Sequence, residues 1–253
     1  MRSTVICHVY NEAYLLPFWL EHHRRMFDHG IIIDYDSTDG SPDIVRRMCP
    51  SWEVRTSRNR EFDALEVDAE VMDVEASVQG IKMALNVTEF LLSSKPLGDH
   101  FTGANQCLHL RALAATCSTS ETQDPATLAE LLGGFDRVND HARYGLRFIH
   151  THQHGAYEVG RHQTRLPHVE PARDMHLLWF GFYPWNARQM ARRSQIKHRM
   201  SQNDVTLARG FHHLMTTEQQ EATKRAVQAG STGLESAPGL REVLGRAAFS
   251  HAA

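Results

Sequence analysis

The sequence predicts an α/β fold: a mostly parallel central sheet with helices on both faces, followed by a helical C-terminal part. Three observations predict it. Short β-branched runs alternate with helical stretches over residues 4–56, which is how a parallel sheet is written. The first two of those runs are rich in β-branched apolar residues, as strands covered on both faces are. Polar clusters stand just after them, where ligands of such sheets bind.

Thr4–Tyr10 reads as a buried strand, broken by Asn11-Glu12-Ala13. Pro17 suits the first turn of a helix, and Leu16, Trp19, His23, Met26 and Phe27 share one face of it. Gly30 is expected to stop that helix. Ile31-Ile32-Ile33 makes a second strand, ended by the polar stretch from Asp34 to Gly40. Ser41-Pro42-Asp43 then reads as cap, first-turn proline and dipole-facing acid of a helix running to about Met48. Trp52–Thr56 is a third strand, Glu61–Gln79 an acidic helix and Ile81–Leu85 a fourth strand.

Beyond that, Cys107–Ala115 fits strand or helix equally. Thr127–Leu132 is a short helix, Phe148–Gly160 suggests a strand pair and Pro184–Met200 a basic helix. A capping signal at Thr216 or Thr217 and a terminal run from Leu240 to Phe249 predict two last helices. Residues 1–215 are expected as one domain and 216–253 as a helical extension.

Composition narrows the function. With 27 Lys+Arg against 30 Asp+Glu, the net charge of -3 leaves no positive excess to neutralise phosphates, which argues against a dedicated nucleic-acid binder. No apolar run reaches the ~20 residues of a membrane span. The four cysteines lack metal or redox spacing and read as reduced core thiols. A cytoplasmic protein is expected, with peripheral contact at the inner membrane face as a variant of that expectation.

The pattern NEAYLLPFWLEHH, GIIIDYDSTDGS and IKMALNVTEFL over residues 4–92 resembles the family 2-like glycosyltransferases of GT-A fold. The resemblance implies a nucleotide-sugar donor lying across the strand ends and a hydroxyl acceptor, glycan or small molecule. It places Asn11, Glu12, Asp34 and Asp39 at the donor, with Asp34 facing base or ribose. The bland reading of Ser37-Thr38-Asp39-Gly40 is a tight turn with a helix cap. At the fourth strand the family's two metal-binding aspartates fall on Asn86 and Thr88, and Glu89 keeps a carboxylate. The cation (Mn or Mg) that stabilises the leaving diphosphate in such enzymes then has three possible fates. Glu89 with His150 or His162 holds it, the basic helix replaces it, or activity has been lost.

Two further groups bear on this. His150-Thr151-His152-Gln153-His154 sets three imidazoles on one face if it is a strand. On the basic helix, Arg188, Arg192, Arg193, Lys197 and Arg199 include like-charged i,i+4 pairs that an anion would relieve, and Arg192 and Arg193 are the expected diphosphate contacts. An inverting transferase needs a carboxylate base. Of Glu158, Glu170, Asp174 and Asp204, Glu158 is the choice. The competing functions are an inactive GT-A domain that still binds nucleotide sugar or glycan, and a histidine-rich metal hydrolase on another scaffold.

Overall fold

The computed structural model describes residues 1–119, 122–140 and 145–250, the side chains of 238 and 246–250 excepted. His141, the first of several histidines gathered between 141 and 176 in the sequence, lies outside them. The strands are β1 (Ser3–Val9), β2 (His29–Asp34), β3 (Glu53–Thr56), β4 (Ile81–Leu85), β5 (Glu89–Ser93), β6 (Cys107–Thr116), β7 (Arg137–Asn139), β8 (Leu146–His150), β9 (Val169–Pro171), β10 (Met175–Trp179) and β11 (Thr232–Gly233). The helices are α1 (Leu16–His23), α2 (Ser41–Met48), α3 (Ala64–Ala76), α4 (Leu128–Gly133), α5 (Ala187–Ser194), α6 (Gln202–Thr206), α7 (Thr217–Ala229) and α8 (Pro238–Ser250).

The main sheet runs β11-β7-β6-β8-β4-β1-β2-β3. Its β4-β1-β2-β3 half is parallel, with Val9 beside Asp34 and Asp34 beside Thr56, so these strand ends lie level. Antiparallel β8 joins β4 to β6, and β10 pairs with β5 and β6 to one side.

Strand alternation shows why helices cover both faces. Val5, Cys7, Val9 and Ile32 pack with Leu16, Trp19 and Leu20 of α1 and Val45 of α2. Ile6, Ile31, Ile33 and Ala84 turn the other way, onto Val71 and Val74 of α3. Burying such a side chain contributes about 1.5–3 kcal/mol. The residues set apart as an extension join this body. β11 adds to β7, and Leu240, Val243 and Leu244 of α8 enter the core that holds Phe90 and Leu131.

Several elements depart from expectation. Gly30 does not stop a helix: α1 ends at His23 and Gly30 lies inside β2, where a Cβ would meet the Trp52 ring at 2.1 Å. Gly40, at φ 82°, is the α2 cap in place of Ser41, whose hydroxyl is used elsewhere. The undecided Cys107 segment is strand, set between β7 and β8. Of the expected pair over 148–160 only β8 forms, because its partners run out: β4 begins at Ile81 and β6 at Cys107, and His150 already faces Cys107 and Lys82. His152 and His154 therefore do not continue a strand with His150. The basic helix is α5 followed by a short 3-10 turn at Lys197–Arg199.

Candidate functional site

The carboxyl ends of β1 and β2 are sewn together by side chains accepting from backbone N–H groups. Asn11, in the left-handed region at φ 53°, donates its N–H to Ser37 Oγ (2.9 Å) and accepts from the Thr38 N–H (2.7 Å). The Asp39 carboxylate takes the Ala13 N–H on one oxygen (2.8 Å) and the Ser41 N–H and hydroxyl on the other (3.0 and 2.6 Å). Ser41 Oγ in turn accepts from the Glu12 N–H at 2.9 Å. Asp34, 9% exposed, holds the Ser37 N–H at 3.3 Å on each oxygen. Asp39 thus does what the turn-and-cap reading asks of it. The network also fixes where Glu12 and Asp34 stand.

Glu12 meets the C-terminal part of the chain. Arg192 on α5 donates Nε and Nη2 to its two oxygens at 2.5 and 2.8 Å, a bidentate pair. Burial raises the Glu12 pKa, and Arg192 opposes that rise. Arg193, one residue on, is bonded to the Gly181 carbonyl and lies 4.2 Å over the Phe182 ring. Burial and its neighbour Arg192 bring it down to about 10.

A strap of chain after α5 then crosses the same strand ends. Gln195 donates to the Tyr10 carbonyl, His198 contacts the Tyr10 hydroxyl at 3.1 Å, and Arg199 donates to the carbonyls of Tyr35 and Arg60. The Arg199 guanidinium lies 4.1 Å over the Tyr35 ring and 4.8 Å over Tyr10. The Phe62 N–H donates to the Arg199 carbonyl and the Phe62 carbonyl accepts from the Ser201 N–H, which fastens the strap to the start of α3. Two open depressions, of about 520 and 550 Å³, lie at the other end of the sheet, near Met1.

At the end of β4 the expected ligand set does not assemble. Arg147 on β8 donates Nη2 and Nε to the two oxygens of Glu89 at 2.7 and 3.0 Å, and Glu89 also receives the Asn86 N–H at 2.8 Å. Arg147 contacts His162 Nδ1 at 2.6 Å, so Glu89 and His162 are joined through a cation. Burial and the Arg147 charge hold the His162 imidazole down, at about 4. His150, fully buried, faces Glu75 (3.3 Å) and the Tyr157 hydroxyl (3.2 Å) instead. It therefore shares no site with Glu89. Among the described residues no group of three or more His, Cys, Asp or Glu is placed to hold a metal ion.

Arg161 completes this end. It donates Nη1 to Asp68 (2.5 Å) and Nη2 to Asn86 Oδ1 (2.9 Å). Thr88 is 5% exposed, its carbonyl taken by the Phe180 N–H. Glu158 is exposed and opens the 3-10 turn that carries Arg161. Glu12, Glu89, Arg161 and Arg192 all act on one buried atom, the Cys7 thiol of β1. Burial raises its pKa first, the two acids add to that, and the two arginines oppose it. Sequence reasoning missed Arg147, Arg161 and Asp68. A charge inside the apolar run Leu146–His150 was the one available signal, since a buried charge needs a partner.

No protein-family model matches the chain, and no curated protein matches it. Among solved structures it is similar to S. aureus TarS, at 15% identity over 47% of this chain and 23% of that one, with a TM-score of 0.34. The 1–349 form of TarS aligns over 85% of this chain and 71% of that one at 10% identity, TM-score 0.41. The same form in complex with UDP-GlcNAc aligns over 49% and 37% at 14% identity, TM-score 0.33. A 4-diphosphocytidyl-2C-methyl-D-erythritol synthase aligns over 60% and 72% at 14% identity, TM-score 0.33. The chain thus spans less than two fifths of full TarS and of the UDP-GlcNAc complex.

Proposed function

We propose that this chain is a glycosyltransferase that moves a sugar from a nucleotide-diphosphate donor to a hydroxyl acceptor, a glycan or a small molecule. One observation carries the reading: Asn11, Glu12, Asp34 and Asp39 stand together at level parallel strand ends, with Arg192 bound to Glu12. That is the place where sheets of this type take ligands. Asp34 keeps both oxygens on long bonds of 3.3 Å, which leaves it acceptor capacity for a ribose or base. Arg192 and Arg193 supply guanidiniums to the diphosphate, and Glu158 is assigned as the base that takes the acceptor hydroxyl proton. Asn86 and Thr88 sit by the donor as neutral groups.

The test is thermal shift with UDP, GDP and CDP, followed by release of free nucleotide from the matching sugar donor. Stabilisation by one nucleotide and its release on turnover support the proposal. No stabilisation by any of them defeats it. The second reading is a GT-A domain that binds nucleotide sugar or glycan without turnover. It is favoured by the commitment of Glu89 to Arg147, and it predicts binding with no nucleotide released.

A further inference from the structure

The resemblance to GT-A transferases implies a divalent cation at the end of β4, and the residues there can be tested for fit. Magnesium and manganese take hard, mostly anionic oxygen ligands. Each acidic oxygen at this end is already committed. Both Glu89 oxygens accept from Arg147, and Asp68 accepts from Arg161 on one oxygen and from the Gly160 N–H on the other (2.6 Å). The amide oxygen of Asn86 accepts from Arg161. Two carboxylates and two guanidiniums cancel before any ion arrives, and both arginines are nearly closed to solvent, 4% and 6% exposed. A dication added here would stand uncompensated in a buried place. The residues do not fit a metal.

What they leave over is a hydrogen-bond donor. Arg161 is held in the left-handed region at φ 57°, just after Gly160 at φ 83°. A non-glycine residue persists there only when its surroundings over-determine it. With Nη1 on Asp68 and Nη2 on Asn86, its buried Nε has no acceptor among the described residues. A buried donor with nothing to donate to marks a place where an acceptor belongs.

We infer that the end of β4 takes no divalent cation, and that Arg161 Nε, the guanidinium donor left over once Glu89 and Asp68 are paired, bonds a phosphate oxygen of a nucleoside diphosphate there. This rests on the donor reading above and goes further, naming the group that stands where the family's cation would.

The experiment uses the full chain. Free Mn²⁺ is followed by its paramagnetic resonance signal during titration with protein, alone and with UDP, against protein-free references. Inorganic pyrophosphate and UDP are separately titrated in EDTA and read by thermal shift. No Mn²⁺ should be taken up, and pyrophosphate should stabilise the chain in EDTA. Arg161→Lys keeps a charge for Asp68 but removes Nε, and it should weaken pyrophosphate by about tenfold, the size of one lost charge-assisted bond. Arg161→Gln should weaken it further with Mn²⁺ still free. Uptake of one Mn²⁺ per chain overturns the inference, as does pyrophosphate that fails to bind in EDTA, or an Arg161→Lys chain that binds it as the parent does. A UDP shift that appears only with Mn²⁺ sinks this inference and spares the donor reading. Pyrophosphate bound in EDTA with no preference for any nucleoside diphosphate does the reverse.

Discussion

At the ends of β1 and β2 the carboxylates of Asp34 and Asp39 are met by backbone N–H groups, whereas at the end of β4 those of Glu89 and Asp68 are met by guanidiniums. The first arrangement joins two loops that follow neighbouring strands. Asn11, Ser37, Asp39 and Ser41 lie within two loops and tie one to the other. The second is long-range, since Glu89 and Arg147 are 58 residues apart and Arg161 reaches Asp68 across 93. The difference teaches where each end draws its rigidity. Short polar side chains shape a loop cheaply, while a buried ion pair holds only as long as both partners are present.

The comparison can be broken most directly by cutting one member at each end. Glu89→Ala leaves Arg147 buried without its carboxylate and should cost about 3–5 kcal/mol in denaturant unfolding. Next comes a control in pH, behind the sheet and away from both ends. His22 is 4% exposed beneath β5, and burial lowers it from its ordinary value to about 4. The folded state then binds fewer protons than the unfolded chain between pH 6.5 and 4, so stability falls as pH drops through that window. The loss attributable to this one group is of order 3 kcal/mol. Unfolding curves at pH 7.5, 5.5 and 4 measure it, and His22→Gln should flatten the dependence. If it does not, other buried histidines carry the dependence, His23 beside it first, since burial lowers its pKa too.

Smaller effects sharpen the contrast. Asp39→Ala loses a loop tie that is largely solvent-exposed and should cost about 1–2 kcal/mol. A cost equal to that of Glu89→Ala would erase the distinction between the two ends. Asp34→Ala should change stability by less than about 1 kcal/mol, because its two bonds are long, yet weaken UDP binding about tenfold by thermal shift or calorimetry.

These two ends were also unequally legible in the sequence. The two loops of the Asn11–Ser41 network could be read because their residue types suit turns and caps, although the bonds between them span 26 to 29 residues. The parallel half of the sheet was legible for a similar reason: short apolar runs and proline-marked helix starts are local signals. The Arg147–Glu89 and Arg161–Asp68 pairs had no such spacing. Arg147 reaches Glu89 because β8 returns antiparallel beside β4, and no periodicity announces a return from 66 to 68 residues away. The histidine trio failed for a related cause. Its common face depended on a strand that ends when β4 and β6 stop offering partners. Gly30 misled because glycine serves close packing as well as helix ends, and here it makes room for Trp52.

The strap over Tyr10 and Tyr35 has a consequence for affinity. Arg199 fills the space above two aromatic rings, so a flat ligand seeking those rings must first displace it. The apparent dissociation constant of such a ligand is then the intrinsic one divided by the fraction of molecules already open; if one in about a hundred is open, binding is about a hundredfold weaker than the contacts alone would give. Trimming Arg199 would loosen the protein and, by the same relation, make it the better binder.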